Sequence, residues 1–243
     1  VNMQDAQQMA GRWSEKKDVA QISCFFSSKA EVTEDTIQSF EYSLKNVLQE
    51  ASITETSENP SARLWVDAYS ADGKITLVNG KNTLDANAIG IGGDFFMFHP
   101  LKLITGSYFS GNDLMQDYCI IDQDAAWQLF GSNDVVGMTV YIGNVPHIVT
   151  GVVQRPDSRM DKAAGLNSTV VYVSYETLSA YGTNNGINHY EIVMPNPVDE
   201  FAYSKVKEGI GIDEKNVEIV ENSRRYSLPN RIKTILAFGT RSM

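Results

Sequence analysis

What this 243-residue chain lacks narrows the field before any motif is read. Cysteine is nearly absent: Cys24 and Cys119 are the two thiols. They allow one disulfide, which spacing alone does not establish, and two buried thiols on strands is the reading adopted. Net positive charge is missing. Thirty acidic residues against twenty basic ones give a formal charge of -10, which excludes the basic face a nucleic-acid binder needs. An anionic membrane surface would repel the bulk of such a chain. No stretch approaches the ~20 consecutive apolar residues of a membrane-spanning helix, and no signal peptide is visible. Val1 is not a natural start, so the chain is expected to be a segment of a longer protein.

The usual signs of chemistry are missing too. The three histidines, His99, His147 and His189, are isolated, each in or beside an apolar stretch, and read as half-buried sheet residues rather than metal ligands. Asp122-Gln123-Asp124 opens like a calcium loop, but Ala126 stands where a third ligand belongs, and a helix start with an acidic first turn explains it better. Gly90-Ile91-Gly92-Gly93 is too short for a dinucleotide fingerprint, and no phosphate loop or G-x-S-x-G elbow is present. Acidic neighbours such as Glu55 and Glu58, or Asp199 and Glu200, lie in polar loops or at a helix start and read as solvated surface. No catalytic residue, cofactor-binding residue or metal ligand is therefore nominated.

Hydrophobic residues make up 42% of the chain and charged residues 21%, ordinary values for one large domain or two small ones. Asn2 to Lys17 is polar with helical apolar spacing. Val19 to Phe26 reads as a strand with Ile22, Cys24 and Phe26 on one face. Thr33 caps a helix to Glu50 whose stripe is Ile37, Phe40, Leu44, Val47 and Leu48. Arg63 to Tyr69 alternates as a strand, and Asp72-Gly73 reads as a hairpin turn into Lys74 to Val78. Gln154 to Asn167 is a Pro-, Ser- and Gly-rich connection. Beyond it come a strand over Thr169 to Ser174, a helix capped by Ser174 or Tyr175 and stopped by Gly182, and a strand over Ile187 to Met194. A helix capped by Asp199 and a strand over Val217 to Val220 complete the series. Ser223 to Met243 carries five basic residues interleaved with Leu228, Ile232, Ile235, Leu236 and Phe238, and reads as a C-terminal helix.

The stretch from Ile91 to Val153 organises the rest. A glycine turn leads into Phe95-Phe96-Met97-Phe98. Such a run is usually core; if exposed, Phe95, Phe96 and Phe98 would form a contact patch for a partner, a peptide or a lipid. A strand over Tyr118 to Ile121 feeds a helix from Asp122 to Gly131. A hairpin then turns about Gly143-Asn144.

Four pieces of this stretch occur together and in order. Gly106 to Phe109 is similar to a G-x-x-F element ahead of an acidic turn, here Asn112-Asp113. Ala126-Trp127-Gln128-Leu129-Phe130-Gly131 is similar to a helix ending in L-F-G. Val136-Gly137-Met138-Thr139-Val140 leads into one strand, and Thr150-Gly151-Val152-Val153 closes another. Over Phe95 to Val153 the chain resembles the extracytoplasmic core domain of MacB-like, FtsX-superfamily ABC transporter permeases; on the flanks only the order of elements agrees.

That resemblance implies an α+β fold of two lobes. A membrane-proximal lobe, residues 1–83 and 187–243, would be a sandwich of two β-α-β pieces from both chain ends, with stalk ends. An inserted, mostly-β distal lobe would span 84–186. It further implies a non-catalytic domain at the cell membrane, facing outward, with membrane spans before Val1 and after Met243. ATP would bind a separate nucleotide-binding subunit or domain, leaving no cofactor in this segment. The partners implied are that cytoplasmic ABC ATPase, a second permease copy, and an extracytoplasmic accessory protein. The function implied is coupling of ATP-driven stalk motion to export or extraction of a peptide, lipoprotein or small toxin. Two other classes are weighed: a stand-alone surface sensor with a small-molecule pocket, and a secreted hydrolase, for which no converging acid pair or nucleophile is found.

Overall fold

The computed structural model describes residues 19–55, 63–154 and 169–222, and the backbone of residues 239–240. The strands in chain order are β1 (Val19–Phe26), β2 (Ile53–Thr54), β3 (Val66–Asn79), β4 (Asn82–Gly93), β5 (Leu103–Gly106), β6 (Tyr118–Asp122), β7 (Thr139–Ile142) and β8 (Val145–Val153). They continue as β9 (Val170–Ser174), β10 (Thr183–Asn184), β11 (His189–Pro195), β12 (Val217–Glu221) and β13 (Gly239–Thr240). The helices are α1 (Glu34–Glu50), the single turn α2 (Phe95–Phe98), α3 (Gln123–Phe130), α4 (Tyr175–Tyr181) and α5 (Phe201–Gly209). The chain divides into two compact units: Val1–Asp67 with His189–Met243, and Ala68–Asn188. These limits differ from the 83/84 and 186/187 expected from sequence.

In the first unit β1 lies between β12 and β11, antiparallel to both. Register places Ala20 opposite Met194, Ile22 opposite Ile192 and Cys24 opposite Tyr190, and all six are buried. Alternation of apolar side chains gives this face something to cover, and the helices cover it. α1 presents Ile37, Phe40, Leu44 and Leu48 at helical spacing. The Phe40 ring meets Tyr190 edge-on, 5.7 Å between centroids. α5 buries Ala202 and Val206. A Cβ added at Gly209 would come 2.9 Å from the Phe40 ring, so glycine lets α5 approach α1.

In the second unit β3 and β4 form a long antiparallel hairpin. β4 pairs in parallel with β9, β9 antiparallel with β6, and β6 in parallel with β8. β8 pairs with β5 and, through its N-terminal half, with β7. One bridge, Val78 to Tyr141, joins β7 back to β3, so these strands close into a ring. Asp122 is the joint between strand and helix: its Oδ1 accepts from the Ala125 amide at 2.8 Å and its Oδ2 from the Val170 amide at 2.9 Å. α3 ends on Gly131 in the left-handed conformation (φ 69). The β7–β8 turn uses Gly143 (φ 56) and Asn144 (φ 64), the pair of positive φ values a two-residue hairpin demands.

Several expectations need correcting. Asp72-Gly73 is not a turn but lies inside β3, and the chain reverses at Gly80 (φ 60). A Cβ at Gly73 would sit 2.1 Å from the Thr183 carbonyl oxygen, so this glycine serves close backbone approach. Ile91-Gly92-Gly93 is likewise the end of β4 rather than a turn. Asp199 does not cap α5; Asn196 Oδ1 accepts from the Ala202 amide at 3.0 Å instead. In the C-terminal stretch read as helix, Gly239–Thr240 pairs antiparallel with Ile53–Thr54, and the rest falls outside the described residues. The N-terminal helix expected over 2–17 and most of the 154–167 connection also fall outside them. Among the described residues no helix is long and apolar enough to cross a membrane.

Candidate functional site

The aromatic run sits in the second unit, where β4 ends and α2 turns. Phe95 and Phe96 are each 7% exposed and pack with Ala68, Ile91, Phe109, Ile120 and Val153. Phe96 stacks on Tyr108 at 4.7 Å and meets Phe109 edge-on at 5.5 Å. Tyr108 clamps the intervening chain: its hydroxyl accepts from the Leu101 amide and donates to the Leu101 carbonyl, both at 2.7 Å. Phe98 is half-buried against the same cluster. The run therefore holds the 98–109 segment to the sheet, and Phe95 and Phe96 are interior rather than a patch.

The exposed apolar residues of this unit lie elsewhere. Leu114 is fully exposed and Met115 is 53% exposed, in the connection ahead of β6. Tyr141 and Ile148 are exposed on the outer side of the β7–β8 hairpin, whose inner side buries Val140, Ile142, His147 and Val149. The connection is structured rather than loose. Ser110 N–H donates to Asp113 Oδ2 at 2.9 Å, Asp113 N–H to the Ser110 carbonyl at 3.1 Å, and Gln116 Nε2 to the Asp113 carbonyl. Its far end is tied to β8, the Ile148 amide donating to the Asp117 carbonyl at 2.9 Å. Sequence reasoning passed over Leu114 and Met115. The available signal was an apolar pair set among Asp113, Gln116 and Asp117, with no periodicity to bury it.

Two polar networks are built into the units. In the first, Tyr190 donates to Asp67 Oδ2 at 2.7 Å, and Glu41 of α1 stands beside Asp67. Burial, then the hydrogen bond and charge of Asp67, push the Glu41 carboxyl up to about 9, and burial lifts the Tyr190 phenol well above its ordinary range. In the second unit, His147 is fully buried. Its Nδ1 lies 2.9 Å from the Val145 carbonyl, which can only accept, so Nδ1 carries the hydrogen. Nε2 then accepts from Thr177 Oγ1 at 3.0 Å, and Thr177 Oγ1 accepts from Ser174 Oγ at 3.1 Å. Ser174 Oγ itself caps α4, taking the Thr177 amide at 3.0 Å.

This chain of hydroxyls and imidazole contains the parts of a nucleophile and base, but Ser174, Thr177 and His147 are all buried, and Ser174 already serves the helix. The thiols offer no better: Cys24 and Cys119 are buried and free, and burial pushes both up to about 12. His99 packs on Phe95 at 4.8 Å and His189 stacks on Phe25 at 4.8 Å. An open groove of about 500 Å³ runs along β3 and β4 past Lys74, Thr76, Asp85 and Tyr181, with Thr76 donating to Asp85 at 2.6 Å. What the described geometry offers the outside is shape and apolar contact.

Residues 5–216 match the MacB-like periplasmic core domain, and the chain belongs to that family. Among curated relatives, the macrolide export ATP-binding/permease protein MacB of Chromobacterium violaceum is 32% identical over 99 residues, 40% of this chain and 15% of that protein. The MacB of Pasteurella multocida is 30% identical over 98 residues, 40% of this chain and 14% of that protein. The chain thus spans a small part of these relatives' length. The periplasmic region of MacB from Actinobacillus actinomycetemcomitans superposes with a TM-score of 0.52 at 19% identity, covering 84% of this chain and 89% of that one. The mixed α+β fold is the one shared with that region.

Proposed function

We propose that this chain is the non-catalytic outward part of an ABC-type permease, coupling motion driven by ATP hydrolysis elsewhere to export or extraction of a peptide, lipoprotein or small toxin, or to a cell-envelope partner. The observation that carries the reading is the match of residues 5–216 to the MacB-like periplasmic core domain. The residues nearest a chemical role, Ser174, Thr177, His147, Cys24 and Cys119, are all buried. The nucleotide site belongs to a separate ATPase subunit or domain, reached through membrane spans outside this segment. The full permease works as a pair, with an accessory protein on the outside. Motion enters as rigid-body displacement, which suits units with packed cores.

The test uses the full-length transporter in membranes. Replacing residues 19–222 by a short Gly/Ser linker should abolish substrate export or protection while leaving basal ATP hydrolysis within about twofold of normal. Retained export in that variant would sink the proposal, and so would hydrolytic activity of the 243-residue chain alone toward peptide, ester or glycan substrates.

A further inference from the structure

The His147 network has a feature that packing alone does not require. Besides its bonds to the Val145 carbonyl and Thr177, His147 Nε2 lies 3.8 Å from Asp117 Oδ1, and the Asp117 side chain is 52% exposed. Thr177 Oγ1 has a second acceptor within reach, the Gln116 carbonyl at 3.5 Å. The titratable groups facing the ring are Asp117, ahead of β6, and Tyr181 of α4, edge-on at 6.3 Å; β7 sets Val140 opposite. Both the carboxylate and the spare acceptor on Thr177 would stabilise a second proton on the ring.

We propose that His147 is a proton-operated latch on the segment carrying the exposed Leu114 and Met115. The steps balance. A proton from solvent binds Nε2, Nδ1–H stays on the Val145 carbonyl, and Nε2–H donates to Thr177 Oγ1. The Thr177 hydroxyl rotates to donate to the Gln116 carbonyl while still accepting from Ser174, using both lone pairs. The imidazolium attracts the Asp117 carboxylate. Both changes pull Gln116 and Asp117 toward β8 and α4, so acidification tightens the connection and fixes the outward apolar pair. At neutral pH that added hold is absent.

The experiment follows the His147 imidazole nitrogens in the 15N-labelled 243-residue chain from pH 8 to pH 5, together with amide exchange of residues 113–118 corrected for intrinsic rates. Nε2 should take up a proton in this range. Asp117→Asn should lower its proton affinity about three- to tenfold. Amide protection at 114–117 should rise at least about threefold in acid. His147→Gln should show no gain in protection in acid, and Thr177→Val, which removes the pull on Gln116 but not that on Asp117, should let the ring titrate but at least halve the gain. A ring that stays neutral until the chain unfolds overturns the latch. So does an unchanged affinity in Asp117→Asn, or protection that rises equally in Thr177→Val.

Discussion

Glu41 holds a proton at neutral pH because burial and the adjacent Asp67 disfavour a second negative charge. The unfolded chain gives that proton up near 4.5 and the folded chain near 9, so between those values the folded state binds more protons and stability falls as pH rises. Glu41→Gln keeps a donor toward Asp67 without the charge. Its melting temperature should be close to wild type at pH 5 and higher by several degrees at pH 8.5; a variant that melts lower at both refutes the reading. Cys24 and Cys119, buried with thiols held near 12, should resist a disulfide-exchange reagent at pH 8 in the native chain and react fully in denaturant. Individual residues were legible from sequence where the signal was local. Asp122 and Ser174 cap helices as expected because a cap acts within three residues. Gly73 was misread because the atom that excludes a side chain there, the Thr183 carbonyl, comes from a distant part of the chain.

At the scale of elements, α3 and its strand depend on one carboxylate. Asp122→Ala removes the acceptor for both the Ala125 and Val170 amides and should destabilise the chain by about 2 kcal/mol in urea unfolding. Truncating Phe96, which meets Tyr108, Phe109 and Tyr172, should cost about 3–5 kcal/mol. A loss under about 1 kcal/mol would show that the aromatic turn is peripheral after all. Helix α1 read correctly from periodicity, since a single apolar stripe with Thr33 ahead of it has few alternative structures. The aromatic turn could be located but not judged for exposure. Whether Phe95 and Phe96 face solvent depends on Tyr108, Phe109 and Tyr172 arriving from other segments.

At the scale of the molecule, the two units differ in how far along the chain their strands must search for one another. Residues 68–188 are continuous, whereas the other unit needs β1 to find β11 and β12 near the opposite end. The continuous unit should therefore form first during synthesis. Expressed alone, residues 68–188 should melt as one cooperative transition by circular dichroism, and a broad, featureless melt would contradict this. Short, punctuated elements such as β6, β9 and α4 were visible in sequence, whereas the long β3–β4 hairpin and the pairing order of the strands were not. The parallel pairs β4–β9 and β6–β8 carry no local mark, and only contacts between remote segments specify them.

The strand ring of the second unit is sealed at one place, where Val78 meets Tyr141. Every other seam of the ring is stitched at three or more positions. Proline at Tyr141 would leave the circle permanently unbuttoned along β3 while sparing its remaining seams.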